Sequence, residues 1–114
     1  MSNPGANPIL GQVPLVLSDG RELTLAMDFH ALVGAERAYG EPMHKLMSDA
    51  LAGFVSANAA ILFGALQTHQ PGITLREATG LFGSDGAAVE AALDAASAAA
   101  FPKAAEDKKA GNAP

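Results

Sequence analysis

VPLVLSDGRELTLAMDFHALVGAERAYG, residues 13–40, changes its hydrophobic period part-way along, and that change decides the fold. Val13 to Leu17 is a short apolar run, Ser18, Asp19, Gly20 and Arg21 follow, and Leu23, Thr24 and Leu25 alternate. This pattern predicts a β-hairpin, because Asp-Gly tolerates the positive φ that a tight turn needs. Pro14 lacks the amide that a central strand would use, so the first strand is read as an edge. A lone hairpin is marginal in water and must lie on helices or pair with another copy of the chain. From Asp28 the period becomes 3.6 residues. Asp28 is a good N-cap, Phe29, Leu32, Val33 and Tyr39 share a helix face, and Gly40 can end the helix in a left-handed turn.

Further along, Pro42 opens a second helix whose stripe Met43, Leu46, Met47, Ala50, Leu51 and Phe54 is the strongest periodic signal in the chain. A third helix, from about Ser56 to Thr68, is apolar on more than one side through Ile61, Leu62, Ala65 and Leu66, and is expected at the centre. Gly34 and Gly64 each cost a helix about 1 kcal/mol relative to alanine, for which close helix approach is the expected compensation. Pro71 and Gly72 close the third helix, and Thr74 to Glu77 is a capping box flanked by Ile73 and Ala78 in the staple positions. A short helix then reaches Gly83, and Ser84 or Asp85 caps a last one through Val89, Leu93 and Ala96 towards Phe101. The glycines at 80, 83 and 86 follow a helix rather than a strand, and so read as helix termination and restart. The expected fold is mainly α: a short N-terminal β-hairpin followed by four to five helices in one domain over residues 11–101. Residues 1–10 are expected to be a flexible lead-in, and residues 102–114, which have no apolar stripe, a disordered tail.

Composition bounds the function. The chain has 114 residues, with 49% hydrophobic, 17% charged and 5% aromatic, no tryptophan and no cysteine. Disulfides, thiolate metal sites and cysteine nucleophiles are excluded together. Net charge is -5, with ten acids against four bases over residues 1–101. Arg21, Arg37, Lys45 and Arg76 cannot supply the phosphate neutralisation that nucleic-acid affinity requires. Met1 to Leu10 has neither the basic nor the apolar region of a secretory signal. The most apolar window, Ala57 to Leu66, is far shorter than the roughly 20 residues that cross a bilayer. No membrane contact and a cytoplasmic location are expected.

Catalytic and metal-binding constellations do not emerge. His30, His44 and His69 fall on three separate helices with no i, i+3 or i+4 pairing, and read as surface or capping residues. The serine elbow, the zinc-binding helix and the phosphate-cradling loop that ends in lysine are all missing from the sequence. Glu36 stands on an otherwise apolar face, where an unpaired carboxylate is costly, so it is expected to pair with a base or cap a neighbouring helix. No catalytic residue, cofactor or metal is expected.

The order of elements, with the Asp19-Gly20 turn, Ala31 through Glu36 to Gly40, and Leu66 followed by His69, Pro71 and the Thr74-to-Glu77 cap, resembles the small tail assembly chaperones of tailed bacteriophages, in the branch associated with gene transfer agents. The likeness spans about residues 13–83. It implies a non-enzymatic protein that holds the tape-measure protein soluble while tail tube protein polymerises around it. In many such systems a longer form arises by frameshifting near the C-terminus. A minor structural component of the tail or connector, and a small helical adaptor unrelated to phage, are the alternatives. Two surfaces are candidates for homo-oligomerisation and for binding the tape-measure protein: the hairpin edge with Val13, Leu15 and Leu17, and the helical stripe with Met43, Leu46, Met47, Leu51 and Phe54. The competing reading of the stripe is ordinary core, with Met43 and Met47 filling gaps.

Overall fold

The structure, a computed structural model, describes residues 12–100 and side chains as far as residue 98. The expected flexible N-terminus and disordered tail lie outside the described residues. Two strands, β1 (Gln12–Val16) and β2 (Glu22–Ala26), precede four helices: α1 (Phe29–Tyr39), α2 (Met43–Leu51), α3 (Val55–Leu66) and α4 (Leu75–Ala100). The fold is mainly helical with an N-terminal hairpin, as the sequence pattern predicts.

The strands pair antiparallel with Val13 opposite Leu25 and Leu15 opposite Leu23. The turn is a three-residue loop in which Gly20 donates to Leu17 O and Leu17 donates to Arg21 O, with Gly20 at φ +92°. Leu15, Leu17 and Leu25 face inwards onto Leu62 and Leu66 of α3 and onto Leu81, Val89 and Leu93 of α4. A second, smaller cluster joins Ala35 of α1 and Leu46 of α2 to Ala57 and Ala60 of α3. Because α3 contributes to both clusters, it is the central element expected from its all-round apolar sequence.

Local signals set most helix ends. Asp28 accepts the Ala31 N–H at 2.8 Å, and Gly40, at φ 80°, donates to Glu36 O. Thr74 and Glu77 exchange bonds, Thr74 N–H to the Glu77 carboxylate at 3.0 Å and Glu77 N–H to the Thr74 hydroxyl at 3.1 Å. Thr74→Ala is therefore expected to cost about 1 kcal/mol. Thermal melting of Thr74→Ala and Glu77→Ala checks this, and both should melt below the parent.

Within α4 two helices meet, where the sequence places the end of a short helix and the start of the last one, at a kink whose non-helical residue is Asp85, with φ of -138° and ψ of 39°. Its carboxylate accepts the Ser18 N–H from the hairpin turn at 2.7 Å and the Ser84 hydroxyl at 2.9 Å, which fixes the kink against the sheet. The Ser18 bond, more than the Ser84 one, holds the Asp85 carboxyl below the usual carboxylate range.

The inward face of α1 differs from the sequence reading. Ala31 and Ala35 are buried, whereas Phe29 is 85% exposed and Val33 is exposed as well. Packing against α3 explains the reversal. At Gly64 the two backbones come so close that a Cβ would collide with Ala31 O and sit 2.9 Å from Ala35 N, and on the α1 side a Cβ at Gly34 would lie 3.4 Å from the Gly64 Cα. A helix seam this tight accepts alanine and glycine and leaves Phe29 and Val33 outside, while Leu32 and Tyr39 stay half-buried.

Candidate functional site

The stripe on α2 divides into two faces. Leu46 is fully buried, and Met43 and Ala50 are partly buried against the smaller cluster. Met47 and Leu51, one turn apart, point outwards, and Leu51 is 82% exposed. Asp49 explains the division: its carboxylate faces inwards, where it accepts the Tyr39 hydroxyl at 2.6 Å and the Lys45 ammonium at 3.0 Å. The Tyr39 bond first, and then Lys45, hold the Asp49 carboxyl below its ordinary value of 3.8. Since the folded-state value is depressed, this contribution to stability is complete above about pH 4 and is lost as pH falls through the depressed value. Tyr39→Phe removes the larger cause and is expected to move the acid-unfolding midpoint, followed by circular dichroism, to higher pH.

Phe54 does not continue α2. The helix ends in a Schellman motif, with Phe54 N–H bonded to Asp49 O, Gly53 N–H to Ala50 O, and Gly53 at φ +94°. In such motifs the residue in the Phe54 position usually packs on the one that Asp49 occupies here. With a carboxylate turned inwards at that position, Phe54 stays 54% exposed, and Val55, the first residue of α3, is 64% exposed. Asn58 fixes this corner by donating from its amide to Ala50 O at 3.2 Å and to Phe54 O at 3.1 Å. At the opposite end of α2, Pro42 supplies no side-chain cap, and Glu36 of α1 accepts the Met43 N–H at 2.6 Å. Glu36 thus caps a neighbouring helix, one of the two roles expected of it. An interhelical carboxylate at one end and a carboxamide at the other hold α2 rigidly, with Met47, Leu51 and Phe54 presented outwards.

A groove of about 440 Å³ lies between this corner and α4. Ala50, Val55, Phe82 and Leu93 give it apolar lining, and Glu90 and Asp94 stand one turn apart on its α4 side. A second depression of about 390 Å³ lies between α1 and α3, lined in part by His30, Val33, Arg37 and Phe63.

The hairpin residues proposed as a binding edge are placed otherwise. Leu15 and Leu17 are core, at 1% and 3% exposure, and Val13 packs against them. The strand edges are also blunted. On β2, the Gln70 carboxamide accepts the Thr24 N–H at 2.8 Å and donates to Thr24 O at 2.9 Å, in the manner of a neighbouring peptide group. On β1, Pro14 pairs with Thr24 and so occupies the equivalent outward position, where it has no N–H. Of the eight residues expected to bind a partner, Leu15, Leu17 and Leu46 are core, Val13 and Met43 are half-buried, and Met47, Leu51 and Phe54 form an exposed apolar corner.

Val55, Phe82, Glu90 and Asp94 are absent from the sequence-based set. The Ala52-Gly53 step was the available signal for Val55, because it ends α2 and turns the chain at the corner. Phe82 precedes the α4 kink, and Glu90 and Asp94 are brought beside it by the direction of α4 beyond the kink.

Among the described residues, no group of three or more His, Asp or Glu side chains could hold a metal ion. No helix there is long and apolar enough to cross a membrane. Comparison with protein-family models, with curated proteins and with solved structures gave no match.

Proposed function

We propose that the chain is a non-enzymatic tail assembly chaperone of a phage or gene transfer agent, and that it binds helical segments of the tape-measure protein through the corner of Met47, Leu51, Phe54 and Val55. The observation that carries the reading is this corner. Four large apolar side chains lie close together in sequence, exposed, on a turn held rigid by Asn58. A contiguous apolar patch on a small acidic domain favours an apolar partner surface, and a pre-set backbone reduces the ordering cost of binding. An amphipathic helix laid along a groove is the recurring solution for such a surface. The likeness in element order to tail assembly chaperones supplies the identity of the partner, and the tail tube protein is the second component of the same assembly.

Co-expression with a tape-measure protein tests the proposal. The tape-measure protein should be soluble with this chain and insoluble without it, and mass spectrometry of finished particles should not find the chain. Equal solubility in both cases rules out the chaperone role, and recovery of the chain from finished tails favours a structural component.

A further inference from the structure

We propose that the groove between the α2–α3 corner and α4 is selective for a cationic helix, one whose apolar stripe is flanked by lysine or arginine. This rests on the reading of the chain as a tape-measure chaperone and names the chemistry of the segment bound.

The groove combines an apolar lining from Ala50, Val55, Phe82 and Leu93 with two carboxylates on one side only. Glu90 and Asp94 are exposed and one helical turn apart, and among the described residues neither takes part in an ion pair. No lining residue is a cation. The facing side offers Ala50, Gly53 and Asn58, and the Asn58 amide hydrogens are already engaged by Ala50 O and Phe54 O. The bases of the described residues are elsewhere: Arg21 is paired with Asp19, Lys45 with Asp49, Arg37 lines the depression between α1 and α3, and Arg76 lies in the first turn of α4. A helix seated on the apolar lining places the residues beside its stripe along α4. Lysine or arginine there meets Glu90 and Asp94, whereas glutamate meets like charge, a penalty that sets specificity as much as the attraction does.

The probes are two labelled 18-residue amphipathic helices with the same leucine stripe, flanked in one by lysine and in the other by glutamate. Fluorescence anisotropy at low salt should show the lysine peptide binding about tenfold more tightly, an advantage that shrinks as salt is added. The double variant Glu90→Lys with Asp94→Lys should reverse the preference without moving the thermal melt, because both side chains are exposed. Equal affinity for the two peptides overturns the inference. So does a lysine preference that survives in the double variant, which would place the cation contacts elsewhere on the acidic surface. In co-expression, a tape-measure protein kept soluble equally by parent and double variant overturns the groove assignment and leaves the chaperone reading standing. A tape-measure protein insoluble even with the parent overturns the chaperone reading, and the peptide comparison still decides the groove. Sedimentation of the chain alone as an oligomer that the double variant dissociates would assign the groove to a second copy and contradict the inference.

Discussion

Replacement of Gly64 by alanine is expected to lower stability by about 3 kcal/mol or more, because the added methyl group meets main chain rather than a movable side chain. In a domain of this size that corresponds to roughly 15 °C in Tm. The new Cβ would collide with Ala31 O and approach Ala35 N to 2.9 Å, so α1 and α3 would have to separate along this seam. Gly34 lies on the same seam, yet a Cβ there meets the Gly64 Cα at 3.4 Å, an ordinary van der Waals contact. Gly34→Ala should therefore be close to neutral, with the helix-propensity gain of about 1 kcal/mol offsetting the tighter fit. Thermal melts of the two variants check the asymmetry. Equal losses would contradict a main-chain contact at Gly64 that Gly34 does not share.

The second large effect concerns binding. Leu51→Asp combined with Phe54→Ser should leave the fold intact, since both side chains are exposed and surface changes of this kind usually move stability by about 0.5 kcal/mol or less. The same pair should abolish the solubilisation of the tape-measure protein. Leu46→Ala, on the same sequence stripe, should do the reverse. It empties a fully buried position at a cost of about 2–5 kcal/mol and acts on binding only through the folded fraction. Melting curves alongside co-expression yields separate the two outcomes. If the Leu51 and Phe54 variant unfolds the chain or leaves the yield unchanged, the corner is not the docking surface.

These contrasts show what the sequence could and could not disclose. Interactions between near neighbours were legible: the Asp28 cap, the Thr74 and Glu77 exchange, the hairpin turn and the centrality of α3 all follow from residues a few positions apart. Side-chain size misled on α1, where Phe29 and Val33 read as the inward face. The inward face is instead set by how closely Gly64 lets α3 approach, a tertiary fact that favours Ala31 and Ala35. On α2, periodicity alone joined Phe54 to the stripe, although Gly53 breaks the helix before it and Asp49 turns a carboxylate into the position where Phe54 would have packed. The half of the stripe that is core and the half that is exposed are chemically alike, so only packing distinguishes them. The groove was beyond sequence reasoning for a similar reason. Phe82 and Asp94 lie on opposite sides of the Asp85 kink, and the kink is held by Ser18, 67 positions away along the chain.

The most direct test of the corner as the docking surface is hydroxyl-radical footprinting of the chain alone and of the co-purified complex with the tape-measure protein. Methionine and phenylalanine side chains are good reporters, and the fold supplies both a probe and a control. Met47 and Phe54 are exposed at the corner, while Phe29, 85% exposed, marks the outer face of α1. Docking at the corner predicts that oxidation of Met47 and Phe54 falls sharply in the complex while that of Phe29 is unchanged. Protection of Phe29 with Met47 and Phe54 still fully reactive, or failure of the two proteins to co-purify, would contradict it.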